Sequence, residues 1–83
     1  MYKLVFEKKA LNDLNKLEQN VKERIWNKLQ DCKENPFRFF EKLVETRGFK
    51  LRAGDYRVVA DIIVEKDAII ILKVGHRKNI YDI

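Results

Sequence analysis

The chain has 83 residues, of which 46% are hydrophobic and 37% charged, and a formal net charge of +5. That composition is globular, and residues 1–83 are read as a single domain that buries only about 60–65% of its unfolded surface. One cysteine, Cys32, excludes an internal disulfide or a cysteine-rich metal site and fits a reducing compartment, and one histidine, His76, excludes metal sites of the two- or three-histidine type.

Tyr2 to Phe6 alternates Tyr2, Leu4 and Phe6 with Lys3 and Val5, which predicts a first strand. Ala10, Leu11, Leu14 and Leu17 then recur at three and four and make one helical stripe. Gln19-Asn20 breaks that helix. Asn20 is placed to cap a second one, with Glu23 at the reciprocal capping position, and this helix turns Val21, Ile25, Leu29 and Cys32 inward with Trp26 beside them. The leucine stripe and Trp26 are expected in the core, and Asn35-Pro36 ends the helix. Phe37-Arg38-Phe39-Phe40 interleaves aromatics with an arginine, either as a linker pinned to the core or as a stacking platform for single-stranded nucleic acid. Phe37 to Glu45 is otherwise left without an element.

Phe49 to Val74 shows no helical spacing and reads as three short strands joined by two tight turns. Gly54-Asp55 suits a two-residue hairpin turn with glycine first, because glycine takes a positive φ without steric cost. That turn sets Leu51 opposite Val58, Arg52 opposite Arg57 and Lys50 opposite Val59, so Lys50, Arg52 and Arg57 project from one face. Like charges that crowd across a strand pair are mildly destabilising, which leaves two readings: solvated charges on a polar face, or the seat of an anion. The last strand, around Ile69 to Val74, is apolar on both sides as in a central strand. Gly75 then releases the backbone into a polar tail with His76, Arg77, Asn79 and Tyr81.

The charge distribution is uneven. Four of the six arginines, Arg47, Arg52, Arg57 and Arg77, lie in the sheet half, whereas eight of the twelve lysines precede it. Arginine grips phosphate oxygens bidentately, so the sheet face is the working face of a protein whose basicity favours a polyanionic partner. The longest apolar run, Ala68 to Leu72, is far too short to span a bilayer, and the N-terminus opens on a charged strand, so a cytoplasmic protein is expected. There is no phosphate-binding glycine loop, and the absence of serine forbids a Ser/His/Asp set. Carboxylate pairs appear only as helix-surface charges, no strong general base is visible, and neither metal nor cofactor is expected.

Lys50-Leu51-Arg52-Ala53-Gly54-Asp55-Tyr56-Arg57-Val58-Val59, followed at this spacing by Val74-Gly75-His76-Arg77 and then Tyr81, resembles the RelE/ParE superfamily of toxins, in its RelE branch. The resemblance spans nearly the whole chain. It implies an α+β fold: an N-terminal strand, a two-helix hairpin and a three-stranded antiparallel meander, with the helices packed on one face of a mostly antiparallel sheet. It also implies a type II toxin that cuts mRNA in the ribosomal A site by attack of a 2′-hydroxyl on the adjacent phosphate, and that a cognate RelB-like antitoxin holds inactive. The family's catalytic positions fall on Lys50, Arg57, Arg77 and Tyr81, with Arg47, Arg52, His76 and Lys78 as accompanying RNA contacts. A further lysine that relatives often carry two residues before Lys50 is here Gly48, so Arg47 or Arg52 is expected to replace its charge. His76 is ranked as a supporting residue, because the RelE branch commonly works without a histidine at that place.

Two other readings stay open: a ParE-like inhibitor of DNA gyrase on the same fold, and a basic RNA-binding module without catalysis. One expectation concerns cover. The face with Arg57 is read as also carrying Val59, Ile63, Ile70, Leu72 and Val74, and the opposite face Val58, Ala60, Ile62, Ile69 and Ile71. One helical hairpin covers only one face, so the other needs the N-terminal strand and Phe37 to Leu43, or an antitoxin chain, laid over it.

Overall fold

The alternation at the N-terminus forms β1 (Lys3–Phe6), with Lys3 and Val5 exposed and Leu4 and Phe6 half-buried. In the computed structural model, which describes residues 1–44 and 47–79, two helices follow, α1 (Lys8–Asn15) and α2 (Gln19–Asp31). After a 3-10 turn at Pro36–Arg38 come the two-residue strand β2 (Glu41–Lys42) and the meander β3 (Phe49–Ala53), β4 (Tyr56–Ile63) and β5 (Ala68–His76). The sheet order is β1-β5-β4-β3-β2, and every pairing is antiparallel except β1 with β5. This is the α+β arrangement expected from the sequence, with β2 added at the edge. No helix among the described residues is long and apolar enough to cross a membrane.

Gly54 takes φ +63° at the β3–β4 turn, and the register beyond it is the expected one: Arg52 opposite Arg57, Leu51 opposite Val58, Lys50 opposite Val59. α1 packs chiefly on β5 and α2 touches β3. Ala10, Ile25, Leu29 and Cys32 thus close over Leu51, Val58, Ala60, Ile69 and Ile71, all essentially without solvent contact. Each aliphatic side chain so buried contributes about 1.5–3 kcal/mol. The Cys32 thiol donates to the Lys28 carbonyl oxygen at 3.2 Å, as a small core residue does. Burial, aided by Asp31 and opposed by Lys28, pushes that thiol up to about 11, so it stays protonated and inert in the folded protein at neutral pH.

The β4–β5 ladder corrects one expectation. Its register steps from Val59 opposite Lys73 to Ala60 opposite Ile71, so Leu72 is an extra residue and β5 bulges. Leu72 stays on the open face against Val59, as expected, but Val74 moves to the helix-covered face, where it is buried. Lys73 takes the place across from Val59 that strict alternation would have given to an apolar side chain. The apolar strip on the open face is thus shorter than expected, and Leu43 covers part of it by packing on Val59 and Leu72. β1 extends the sheet at its edge and does not fold over this face.

Other departures have local causes. Trp26 is 47% exposed, because it sits on the flank of the α2 stripe, where Phe6 stacks on it at 5.9 Å between ring centroids. Leu11 is also exposed, on the flank of α1 that the sheet does not reach. α2 begins at Gln19, with Glu18 extended at its cap, and not after an Asn20 cap. Gln19 Nε2 donates to the Glu23 carboxylate at 3.0 Å and so occupies the group that would have reached back to Asn20. In the aromatic segment Phe40 is buried, Phe39 is half-buried and Phe37 meets Phe49 edge-on, which favours the pinned linker over a stacking platform.

Where β1 stops, the edge of β5 would be left with an open N–H at Val74. Asp13 of α1 fills the gap: its carboxylate accepts from Val74 N at 3.1 Å and from Lys9 Nζ at 3.0 Å. Replacing Asp13 by Ala orphans that amide next to the bulge and is expected to cost about 1.5–3 kcal/mol, read as a lower urea midpoint with an unchanged slope. A midpoint within error of the unmodified protein would show that the bulge holds without its cap.

Candidate functional site

The hairpin register converts sequence spacing into a charged surface. Lys50 and Arg52 stand two apart on β3, and Arg57 faces Arg52 across the β3–β4 pair, so all three rise from the face the helices do not cover. They line a small cavity of about 160 Å³ whose fourth wall is Glu41. Glu41 is directly opposite Lys50 in the β2–β3 ladder, which is why a side chain from an unassigned stretch arrives there. Arg57 and Lys50 are half-buried, Arg52 and Glu41 exposed. Three cations and one carboxylate give the cavity a net positive balance suited to a phosphodiester, and the two arginines offer planar forks for its oxygens.

The remaining candidates lie elsewhere. Arg77 does not line this cavity; it is exposed just beyond β5, where its backbone N–H donates to the Asp55 carbonyl at 2.9 Å and pins the tail to the end of the Gly54 turn. His76 sets its ring edge-on to Tyr56 at 5.3 Å, and its Nδ1 accepts from Lys78 N at 3.2 Å, so the neutral ring carries its proton on Nε2. It borders a different, wider hollow of about 830 Å³, shared with Lys9, Asp13, Lys16, Tyr56 and Lys73. That hollow is the larger, yet the small cavity is the one that gathers Arg52 and Arg57 of the hairpin. Arg47 is exposed before β3, Lys78 is exposed in the tail, and Tyr81 lies outside the described residues. No group of three side chains able to hold a metal occurs among the described residues.

A family model described as the ParE toxin of a type II toxin–antitoxin system, parDE, matches residues 4–81. The chain belongs to the RelE/ParE superfamily of type II toxins. The mRNA interferase toxin RelE of Escherichia coli (strain K12) is 34% identical over 81 residues, which cover 94% of this chain and 85% of that protein. A chain of the toxin–antitoxin complex RelBE2 from Mycobacterium tuberculosis superposes with a TM-score of 0.85 at 29% identity, over 92% of this chain and 98% of that one. For the intact E. coli RelBE toxin–antitoxin complex the TM-score is 0.78 at 30% identity, over 92% and 96%.

The toxin's departure at Gly48 has a packing reason. A Cβ there would come within 3.0 Å of Leu43 Cδ1, because Leu43 folds down onto Val59 and donates its N–H to the Gly48 carbonyl at 2.9 Å. The space that a side chain at position 48 would need is therefore filled from below. Arg52, which lines the cavity, supplies the third cation, whereas Arg47 does not line it. Glu41 is the residue that sequence reasoning missed: a two-residue strand leaves no periodicity to read.

An anion held by this cavity in the folded state alone stabilises the toxin. Inorganic phosphate at ten times its dissociation constant adds about 1.4 kcal/mol. Thermal unfolding followed at fixed ionic strength is expected to show a rise with phosphate that Arg57→Gln at least halves. Equal rises in both proteins would remove the cavity as the seat of the effect.

Proposed function

We propose that the protein is a ribosome-dependent endoribonuclease that cleaves mRNA in the A site and so stops translation, kept inactive by a RelB-like antitoxin. The observation that carries this reading is the cavity of Lys50, Arg52 and Arg57 in a chain 34% identical to a named mRNA interferase. In this reading a 2′-hydroxyl attacks the adjacent phosphate, and negative charge builds on the phosphate oxygens in the transition state. Arg57 and Arg77 stabilise that charge, Lys50 holds the phosphate, and Tyr81 stacks on a base or takes part in proton transfer. Arg47, Arg52, His76 and Lys78 contact the RNA backbone, no cofactor is needed, and the site of action is the cytoplasm. The ribosome contributes geometry: by fixing the 2′-hydroxyl in line it supplies what a shallow cavity on a sheet face does not.

A RelB-like antitoxin fits the same face. Two solved relatives are toxin–antitoxin complexes, and the open face offers both kinds of contact that a stable interface uses. Val5, Ile63, Ile70 and Leu72 are exposed or half-buried on β1, β4 and β5 of the sheet whose β2–β4 side holds the cationic cavity. The name of the matched family model keeps a second reading alive, in which the toxin acts as ParE-type proteins do on DNA gyrase.

Induction in growing cells followed by primer extension separates these readings. New mRNA 5′ ends within codons are expected, whereas DNA breaks without them would favour the gyrase inhibitor, and ribosome or RNA binding without new ends a non-catalytic module. Arg57→Ala and Arg77→Ala should each lose growth arrest while keeping the fold, since one missing phosphate clamp costs about 2–4 kcal/mol in the transition state. Full toxicity of either variant at equal expression would sink its assignment. A cognate antitoxin should rescue growth, co-purify through moderate salt and bury more than about 1,200 Å²; rescue without binding would contradict the partnership.

A further inference from the structure

The β4–β5 ladder ends on one pair, Tyr56 opposite His76. Tyr56 packs against the core from the helix-covered side, and the His76 ring stands edge-on to it at 5.3 Å, so His76 points to that side as well. Arg77 carries the ladder one step on, since its N–H donates to the Asp55 carbonyl at 2.9 Å. Side chains alternate along a strand, which puts the Arg77 Cβ on the opposite, open face. That is the face of Arg57, whose neighbour across the ladder, Gly75, has no side chain. We propose that His76 is a positioning residue for Arg77: it closes the turn that aims Arg77 at the same phosphate as Arg57. This assignment rests on the nuclease reading above and deepens it.

Arg77 is exposed and lies in the turn at 77–79, past the last ladder pair, so its direction depends on local bonds. Two of them fold back on His76. The Lys78 N–H donates to His76 Nδ1 at 3.2 Å, and the Asn79 N–H donates to the His76 carbonyl at 2.8 Å. Together with the bond from Arg77 to Asp55, they tie down the amides of Arg77, Lys78 and Asn79 in succession. The Arg77 side chain therefore leaves a backbone that is held on both sides of it.

An imidazole suits this place for two reasons. Nδ1 sits close to the main chain, so it reaches the amide two residues on, as an asparagine oxygen does in a local turn. The rest of the flat ring leans on Tyr56, which fixes its rotamer and keeps Nδ1 turned toward the tail. The ring thus works from the side of the sheet that faces away from the cavity of Lys50, Arg52 and Arg57, and in this role it touches no reacting atom. The RNA contact given to His76 above falls to its other nitrogen, Nε2. A residue that only stabilised the fold would slow cleavage whether or not Arg77 were present, whereas one that acts through Arg77 has nothing left to do once that guanidinium is gone.

The test compares the unmodified protein with His76→Asn, His76→Phe, Arg77→Ala and the double variant of His76→Phe with Arg77→Ala. His76→Asn keeps an acceptor for the Lys78 amide, whereas His76→Phe keeps a ring against Tyr56 and loses the acceptor. Hydrogen exchange at the Arg77 and Lys78 amides reads the placement without any activity: it is expected to be slow in the unmodified protein and His76→Asn, and faster in His76→Phe. Single-turnover cleavage of a short mRNA on programmed ribosomes reads the consequence. His76→Phe should bind the programmed ribosome as tightly as the unmodified protein and cleave about 10- to 10²-fold more slowly, as a catalytic group misplaced by about 1 Å does. His76→Asn should recover most of that rate, and His76→Phe added to Arg77→Ala should cost nothing further. Unchanged exchange in His76→Phe overturns the assignment, as does a His76→Asn as slow as His76→Phe, a loss that multiplies in the double variant, or a loss that is all in binding. If the unmodified protein leaves ribosome-bound mRNA intact, the nuclease reading falls, and the placement of Arg77 by His76 stands or falls on the exchange alone.

Discussion

Leu72 is the residue that β5 has and β4 does not match, and its insertion lets one thin sheet carry a closed core on one side and a charged surface on the other. Without it, strict alternation would put Val74 on the open face and leave the helices a poorer surface to close on. With it, Val74 joins the core under α1 and Lys73 comes across from Val59 in the ladder, while Leu72 stays on the open face as a seat for Leu43. The bulge interrupts the ladder, and Asp13 compensates by accepting the amide of Val74 from the adjoining helix. One irregularity thus couples α1 to the phase of β5, and through β5 to the tail that holds His76 and Arg77.

The hairpin could be read from the sequence because its turn makes a demand that few residues meet. Gly54 at φ +63° anchors a register, and once that register is fixed the shared face of Lys50, Arg52 and Arg57 follows by counting. The bulge could not be read in the same way. Ile69 to Leu72 is uniformly aliphatic, so the run carries no parity, and a shift by one residue leaves no trace in composition. Trp26 and Leu11 were misplaced for a related reason. Helical spacing identifies a stripe but not its width, and helices of 8 and 13 residues over a narrow sheet cover only the middle of theirs. At the start of α2 two local hydrogen-bonding options compete for the Glu23 carboxylate, and the Gln19 amide, one turn back, takes it. The family assignment was legible because its two motifs sit on the hairpin and on the end of β5, where spacing is held by pairing.

The cationic cavity comes at some cost to the sheet. Arg52 directly opposite Arg57 is a like-charge pair, worth a few tenths of a kcal/mol against folding, and a third cation stands beside it. A structure that retains such an arrangement offsets it in the remaining contacts, and the offset here is visible as Glu41 across from Lys50 and as the aliphatic cluster of Val59, Leu72 and Leu43 on the same face. Glu41 thus moderates the repulsion among the three cations that share its cavity.

That dependence runs further than the cavity. Glu41 is held by β2, β2 by Leu43, and Leu43 by the Val59–Leu72 platform on the open face. The tail is tied to the same hairpin from the other end, since Arg77 N–H reaches the Asp55 carbonyl beside Gly54. Two groups of functional candidates from distant parts of the chain, one on β2 and β3 and one after β5, thus take their positions from one turn and one bulge. Substitutions at Leu43 or Leu72, which touch no substrate in this reading, would act on the site through the placement of Glu41, whereas those at Gly54 would shift the arginines and the tail together. The contrast is physical: the first pair loosens a carboxylate while the cations stay in register, and the second changes the register itself.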